Sequence, residues 1–208
     1  MKNVPVKQFI FKTLKINIYP QVYEPSEDSF QLLESIDFKK GDNIFEIGTG
    51  TGIISLYLCM NNANIICSDI NPYAIKNTKE NFKINREKMK GNYEVRFGDM
   101  FNVLKKDEKF DLIIFNPPYL PKLINSKIKD KWFNIAVEGG ITGLKFTKKF
   151  ILEISKYLKE NGSAYFVYSS ESDENKLKEV LLDTKLNYSI INSINYNSEE
   201  LRIYRIIK

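Results

Sequence analysis

The 208-residue sequence has no histidine, two cysteines and a single tryptophan. Without histidine it lacks the side chain most often used as a general base near neutral pH. Two cysteines with no histidine also argue against a protein-bound metal. Cys59 and Cys67 both fall in apolar segments, where a buried reduced thiol is the default reading. Long apolar runs are missing too. Phe9 to Tyr19 carries Lys12 and Lys15 and is too short to cross a bilayer. No signal peptide is apparent, so the chain reads as cytoplasmic, with no membrane partner. The sequons at Asn161 and Asn187 then read as chance. Charge of one sign is scarce: 31 basic against 26 acidic residues leave only +5. That balance suits approach to RNA or an acidic partner, and equally a solvated lysine-rich surface. Repeats and low-complexity linkers are lacking as well. The abundance of Lys, Ile and Asn reads as coding bias and carries no functional reading.

What is present is an alternation of strand and helix signals, expected for an α/β domain with a mostly parallel sheet. The length fits one domain, 1–208, with an N-terminal β extension over 1–21 and a substrate loop over 120–140. Residues 9–19 read as a short β segment or hairpin. Glu27 to Ile36 reads as a helix with Ser26 as N-cap. Strands are expected at Asn43–Ile47, Ile65–Ile70, Tyr93–Phe97, Phe110–Phe115 and Ser163–Tyr168. Helices are expected at Thr51–Asn61, from Pro72 to about Lys88, at 142–159 stopping at Asn161-Gly162, and at Ser172–Thr184. The runs 188–196 and 201–207, joined near Asn197-Ser198, are expected to pair antiparallel. Leu120 to Gly140 is a loop containing the single tryptophan, Trp132.

The most specific feature is Asn116-Pro117-Pro118-Tyr119, at the end of the apolar run Phe110–Phe115. An amide side chain, two residues without a backbone N–H and an aromatic ring suit the gripping of a planar NH2 group. The Asn oxygen and a Pro carbonyl can accept its two hydrogens, and the Tyr ring can cover its face. This points to methylation of an amide or amino nitrogen. A carboxamide nitrogen needs no strong base before attack, which is consistent with the missing histidine.

A second constellation is Glu46-Ile-Gly48-Thr-Gly50-Thr-Gly52, a strand end, a glycine-rich turn and a helix start. Taken alone, the turn can bind a dinucleotide or simply be tight. Its spacing departs from G-x-G-x-x-G, and Glu46 would sit badly beside a pyrophosphate. A carboxylate there suits a cation such as the amino-acid end of S-adenosylmethionine. Asp69 ends the next strand, where it can accept from ribose hydroxyls or cap the following helix, a task Asn71 can also do. Asp99 ends the third strand; it can accept from an adenine amino group, with Met100 packed on the ring. Three successive strands thus end in an acid.

Together these residues resemble the Rossmann-like S-adenosylmethionine methyltransferases. Tyr23-Glu24-Pro25-Ser26-Glu27-Asp28-Ser29-Phe30 narrows the resemblance to the short HemK-type glutamine methyltransferases of archaea and eukaryotes. The resemblance runs from about Tyr19 to the C-terminus. It implies a seven-stranded, mostly parallel sheet with an antiparallel C-terminal strand pair. It also implies an activity: methyl transfer to the side-chain amide of the Gln in the Gly-Gly-Gln motif of a class I release factor. By resemblance, Ser29 contacts the cofactor, Glu46 and Gly48 line its methionine end, Asp69 the ribose, and Asp99 with Met100 the adenine. Asn116 and Pro117 bind the glutamine amide, with Tyr119 stacked on it. Gly139-Gly140-Ile-Thr-Gly143 resembles the family's Gly-Gly-x-x-Gly segment, while Val137 stands where eukaryotic members often have Trp. The extra N-terminal helical domain of bacterial members is expected to be absent. A small zinc-binding activator is implied as a partner, pairing along Tyr93–Phe97. Asn-Pro-Pro-Tyr is shared with adenine-N6 methyltransferases of DNA or RNA. For such a substrate the chain offers only scattered lysines such as Lys122, Lys127, Lys129 and Lys131, which could equally contact ribosomal RNA, a termination factor or only solvent. A non-catalytic cofactor-binding subunit is a further alternative, opposed by the intact tetrapeptide.

Overall fold

A computed structural model describes residues 4–121, 130–196 and 198–208. The chain groups into two compact units, one of residues 1–26 and 37–108, the other of residues 27–36 and 109–208.

The first unit carries an antiparallel hairpin of β1 (Lys7–Phe11) and β2 (Leu14–Ile18), which resolves the segment-or-hairpin alternative for residues 9–19. Lys12, with φ +55, makes the reversal. Three parallel strands follow: β3 (Asn43–Ile47), β4 (Asn64–Asp69) and β5 (Tyr93–Phe97), in the order β5-β4-β3. Two helices cross between them, α2 (Ile53–Met60) and α3 (Pro72–Ile84). Pro72 occupies the first turn of α3, where its missing N–H is harmless. Asn71, not Asp69, caps α3: its Oδ1 accepts from the Tyr73 N–H at 2.9 Å.

Asn77, Asn81 and Asn85 recur every four residues on α3, so they share one face. All three are buried, and they bind the edge of β2 much as another strand would. The N–H groups of Lys15, Asn17 and Tyr19 donate to Asn85, Asn81 and Asn77 at 2.9–3.0 Å. The asparagine amides donate back to the carbonyls of Lys15 and Asn17. Side chains thus satisfy backbone groups that an edge strand leaves open.

The second unit holds α1 (Glu27–Ser35), β6 (Phe110–Phe115), α4 (Lys131–Val137), α5 (Lys145–Glu153), β7 (Leu158–Ser169), α6 (Glu174–Thr184), β8 (Asn187–Tyr196) and β9 (Glu199–Ile207). Strand β6 pairs parallel with β7. Strand β9 lies between β7 and β8, antiparallel to both, as the two terminal runs require. The core of this unit is aromatic. Phe150 packs on Phe115 and Phe166 with centroids 5.4 and 6.0 Å apart, and Tyr204 stacks on Phe166 at 5.0 Å.

Two expectations fail locally. The helix expected over 142–159 is only α5, because Gly140 and Gly143 have positive φ before it and a 3₁₀ turn, Ile154–Lys156, ends it. Leu158 already pairs with Phe110. The Asn161-Gly162 signal marks an irregularity inside β7, with Asn161 at φ +62, rather than a helix stop. The loop from Leu120 to Gly140 contains α4, capped by Asp130, which accepts from the N–H groups of Trp132 and Phe133. Residues 122–129 of that loop lie outside the described residues, as do Lys122, Lys127 and Lys129. Among the described residues no helix is long and apolar enough to cross a membrane.

Candidate active site

In the first unit the glycine turn carries three left-handed residues, Gly48, Gly50 and Gly52, with φ between +57 and +82. At Gly52 a Cβ would strike Thr78 Cγ2 at 2.8 Å and Leu56 Cδ1 at 2.9 Å, so that glycine serves packing. At Gly50 a Cβ would meet nothing within 4 Å. The backbone there borders open space, as a ligand cradle requires.

Hydrogen bonds draw the three acidic strand ends together. The Gly50 N–H donates to Asp69 Oδ2 at 2.9 Å, and the Asn71 N–H to Asp69 Oδ1 at 2.8 Å. The Thr49 N–H donates to the Ser68 carbonyl, and the Gly98 N–H to the Asp69 carbonyl at 3.0 Å. Helix α3 braces the same turn from behind: Thr78 Oγ1 donates to the Gly50 carbonyl and Asn81 Nδ2 to the Thr51 carbonyl. Asp99 and Met100 follow Gly98. Met100 is buried and held at φ +47.

Glu46 is buried beneath the turn and accepts from the hydroxyls of Thr49, at 2.8 Å, and Ser55. Burial drives its pKa up to about 7, those hydroxyls hold it down in part, and nearby Asp69 raises it further. Burial likewise raises Asp69, against the backbone N–H groups that favour its charge. Burial thus raises both acids, and a positive charge brought to Glu46 would offset its desolvation. The donor set fits S-adenosylmethionine, whose ammonium Glu46 and Gly48 could hold and whose ribose hydroxyls Asp69 could hold.

In the second unit, β6 delivers Asn116 at its C-terminal end. Asn116 Nδ2 donates to Asp28 Oδ2 at 3.0 Å and lies 3.5 Å from Ser29 Oγ. The Tyr119 hydroxyl donates to the same Asp28 oxygen at 3.2 Å. Asn116 Oδ1 is shielded from solvent and has no hydrogen-bond partner among the described residues.

The tetrapeptide is clamped from behind. Ser172 Oγ donates to the Tyr119 carbonyl at 2.7 Å, the Gly139 N–H to the Leu120 carbonyl at 2.7 Å, and the Leu120 N–H to the Val137 carbonyl at 2.9 Å. A Cβ at Gly139 would lie 2.5 Å from the Pro118 carbonyl oxygen, and one at Gly143 2.3 Å from that of Tyr119. The Gly-Gly-x-x-Gly segment is therefore the backing of Asn-Pro-Pro-Tyr.

Every residue expected at the site lies in one of these two groups. Glu46, Gly48, Gly50, Asp69, Asp99 and Met100 gather in the first unit, and Ser29, Asn116, Pro117, Pro118 and Tyr119 in the second. The sequence reading gave no role to Asp28, Ser172, Thr78 or Asn81. Asp28 lies within the segment Tyr23–Phe30 and the asparagines recur every four residues, whereas Ser172 carries no sequence signal.

The family model for a methyltransferase domain matches residues 38–208. A Methanocaldococcus jannaschii protein, named as a "putative protein N5-glutamine methyltransferase", is 41% identical over 172 residues, covering 79% of this chain and 83% of that protein. This chain belongs to the HemK-type glutamine methyltransferases. The human methyltransferase HEMK2 is 27% identical over 204 residues, covering 91% of each chain. Among solved structures, Mtq2 of E. cuniculi, described in complex with Trm112 and as methylating the termination factor eRF1, superposes with a TM-score of 0.67. It is 21% identical and covers 90% of this chain and 99% of that one. The methyltransferase therefore has the expected Rossmann-like α/β fold, mostly parallel with an antiparallel C-terminal pair. Its seven strands divide three and four between the two units, apart from the N-terminal hairpin.

Proposed function

We propose that this methyltransferase acts in the cytoplasm on the glutamine of the Gly-Gly-Gln motif of a class I release factor, methylating its side-chain amide nitrogen. The observation that carries the reading is Asn116 Oδ1. A shielded acceptor without a partner among the described residues is a place for a donor, and a carboxamide NH2 is such a donor. The names of the relatives support glutamine as its source.

S-adenosylmethionine supplies an electrophilic methyl group on a sulfonium. The residues of this chain do the rest by orientation. A carboxamide nitrogen is a weak nucleophile because its lone pair is delocalised. Asn116 Oδ1 and the Pro117 carbonyl accept its two hydrogens and stabilise the positive charge that grows on it. As the new N–C bond forms, the methyl–sulfur bond breaks and its electron pair stays on sulfur, leaving S-adenosylhomocysteine. The nitrogen, now strongly acidic, gives its proton to water. Tyr119, tied by its hydroxyl to Asp28, covers the amide face. No step calls for histidine.

A small zinc-binding activator fits β5. This strand pairs on one side only, with β4, within the three-strand order. Phe97 is exposed and Tyr93 is stacked on Phe82 at 3.9 Å. Soluble, fully active enzyme expressed alone would refute an obligatory partner.

The deciding experiment offers the Gly-Gly-Gln factor, its Gln→Ala variant and an adenine-containing duplex side by side with labelled donor. Label on the first alone is expected. Label on the duplex alone would transfer the site to adenine.

A further inference from the structure

We infer that Asp28 is a positioning residue that fixes which way the Asn116 amide faces, and so makes the site select a side chain bearing NH2 over one bearing a carboxylate. The inference rests on the glutamine reading and deepens it. An asparagine amide presents either an acceptor or a donor, depending on a half-turn about its last bond. What decides the face is what lies behind it. Here that is a carboxylate, which can only accept when ionised.

Asp28 is the second residue of α1 and almost wholly buried, and its carboxylate accepts from Ser29, Asn116 and Tyr119. Oδ1 accepts from the Ser29 N–H at 2.6 Å and the Ser29 hydroxyl at 3.0 Å. Oδ2 accepts from Asn116 Nδ2 at 3.0 Å and the Tyr119 hydroxyl at 3.2 Å. The first turn of a helix also favours negative charge. Turning the Asn116 amide over would set Oδ1 against Asp28 Oδ2, acceptor against acceptor, and remove a charge-assisted hydrogen bond. Oδ1 must therefore face away from Asp28, the orientation in which it has no partner among the described residues. The same carboxylate fixes Tyr119, so one buried charge sets two of the three acceptor-binding groups.

An incoming carboxamide can donate to Oδ1. A carboxylate of the same shape can offer only lone pairs to that oxygen and adds charge near Asp28. The chain thereby distinguishes Gln from Glu, although the two are nearly isosteric.

The test uses the full-length enzyme, with its activator if one proves necessary. It measures kcat on the Gly-Gly-Gln factor and the inhibition constant of the Gly-Gly-Glu factor. Wild-type enzyme should bind the Glu factor far more weakly than the Gln factor. In Asp28→Ala the amide is free to turn. There kcat should fall by tenfold or more, and the Glu-to-Gln discrimination should narrow by about tenfold, the worth of one hydrogen bond. Asp28→Asn can still accept from Nδ2 through its own oxygen, and should recover most of kcat. Donor binding, read by calorimetry, should stay within about twofold in both variants, the scatter of small structural changes.

Unchanged kcat in Asp28→Ala would overturn the inference. So would a fall in kcat with unaltered discrimination, because a merely structural residue would weaken Gln and Glu factors alike. If Asp28→Ala does not fold, Asp28→Ser provides the same comparison, with a hydroxyl too short to reach Asn116. Failure of the wild-type enzyme to methylate the Gln factor would overturn the glutamine reading, and this inference with it. Normal wild-type transfer with unaltered discrimination in the variants would overturn this inference alone.

Discussion

Replacing Asn81 by leucine should destabilise the first unit and loosen the glycine turn together, although Asn81 lies in the middle of a helix and belongs to no recognised motif. The side chain is fully buried and makes three hydrogen bonds, each at 2.9 Å. It accepts from the Asn17 N–H and donates to the carbonyls of Asn17 and Thr51. Leucine has a similar bulk, so the change removes polar partners without opening a large cavity. Asn17 O retains Asn77 Nδ2 at 2.7 Å, which limits the loss on that side. The buried Asn17 N–H loses the partner it has, at about 1–3 kcal/mol, and the Thr51 carbonyl loses about 1 kcal/mol more. Leucine returns roughly 0.5 kcal/mol as the better helix former. The net cost is about 1.5–3.5 kcal/mol. For a chain of this size that lowers Tm by about 3–14 °C. Differential scanning calorimetry of Asn81→Leu beside Lys79→Ala, an exposed neighbour on the same helix, measures it directly. A donor titration should show weakened binding, because the Thr51 carbonyl belongs to the turn. A Tm within about 1 °C of wild type, inside the ordinary range for a surface change, would refute the idea that α3 replaces a strand for β2.

The pH dependence of stability should carry the mark of Glu46. Its folded pKa of about 7 lies above the ordinary 4.5, so the folded protein binds the extra proton between those values. Stability should therefore fall as pH rises from about 4.5 to 7, by roughly 3 kcal/mol from this group, and level off above. Glu46→Gln should flatten that slope in urea titrations, and an unaltered slope would remove Glu46 as its source. Asp69→Ala should weaken donor affinity, and calorimetry giving the wild-type constant would end its assigned role. Asn116→Ala should abolish transfer while leaving donor binding mostly intact, and near-normal turnover would sink the orientation mechanism. Gly143→Ala has φ +72 and a Cβ 2.3 Å from the Tyr119 carbonyl. It should shift the tetrapeptide and cut kcat by about tenfold or more, since positioning errors near 1 Å cost that much; unchanged kcat would separate this segment from the site.

The parts of the site legible in the sequence were those where chemistry demands one residue type at one point on a strand. Glu46 and Asp69 lie within the last two residues of their strands, and Asp99 and Asn116 within two residues after theirs, so position at a strand end conveys a role. Asp28 was harder. Its function depends on a partner 88 residues away in sequence, and nothing in the helix from Glu27 marks it above Glu27. The asparagines of α3 show the opposite case. Their spacing was visible, but an abundant residue type hides its own pattern, and Asn in a helix reads as a weak former rather than a binding group. Both cases share a cause: the side chains act on other protein groups before any ligand arrives. Such residues decide how sharply the ligand-facing groups are held. Asn116 alone would make an amide-binding site of either sense, and a buried carboxylate behind it gives the site its single sense. Specificity in this enzyme is therefore to be sought one layer behind the residues that touch the substrate, among polar groups whose partners are all within the chain.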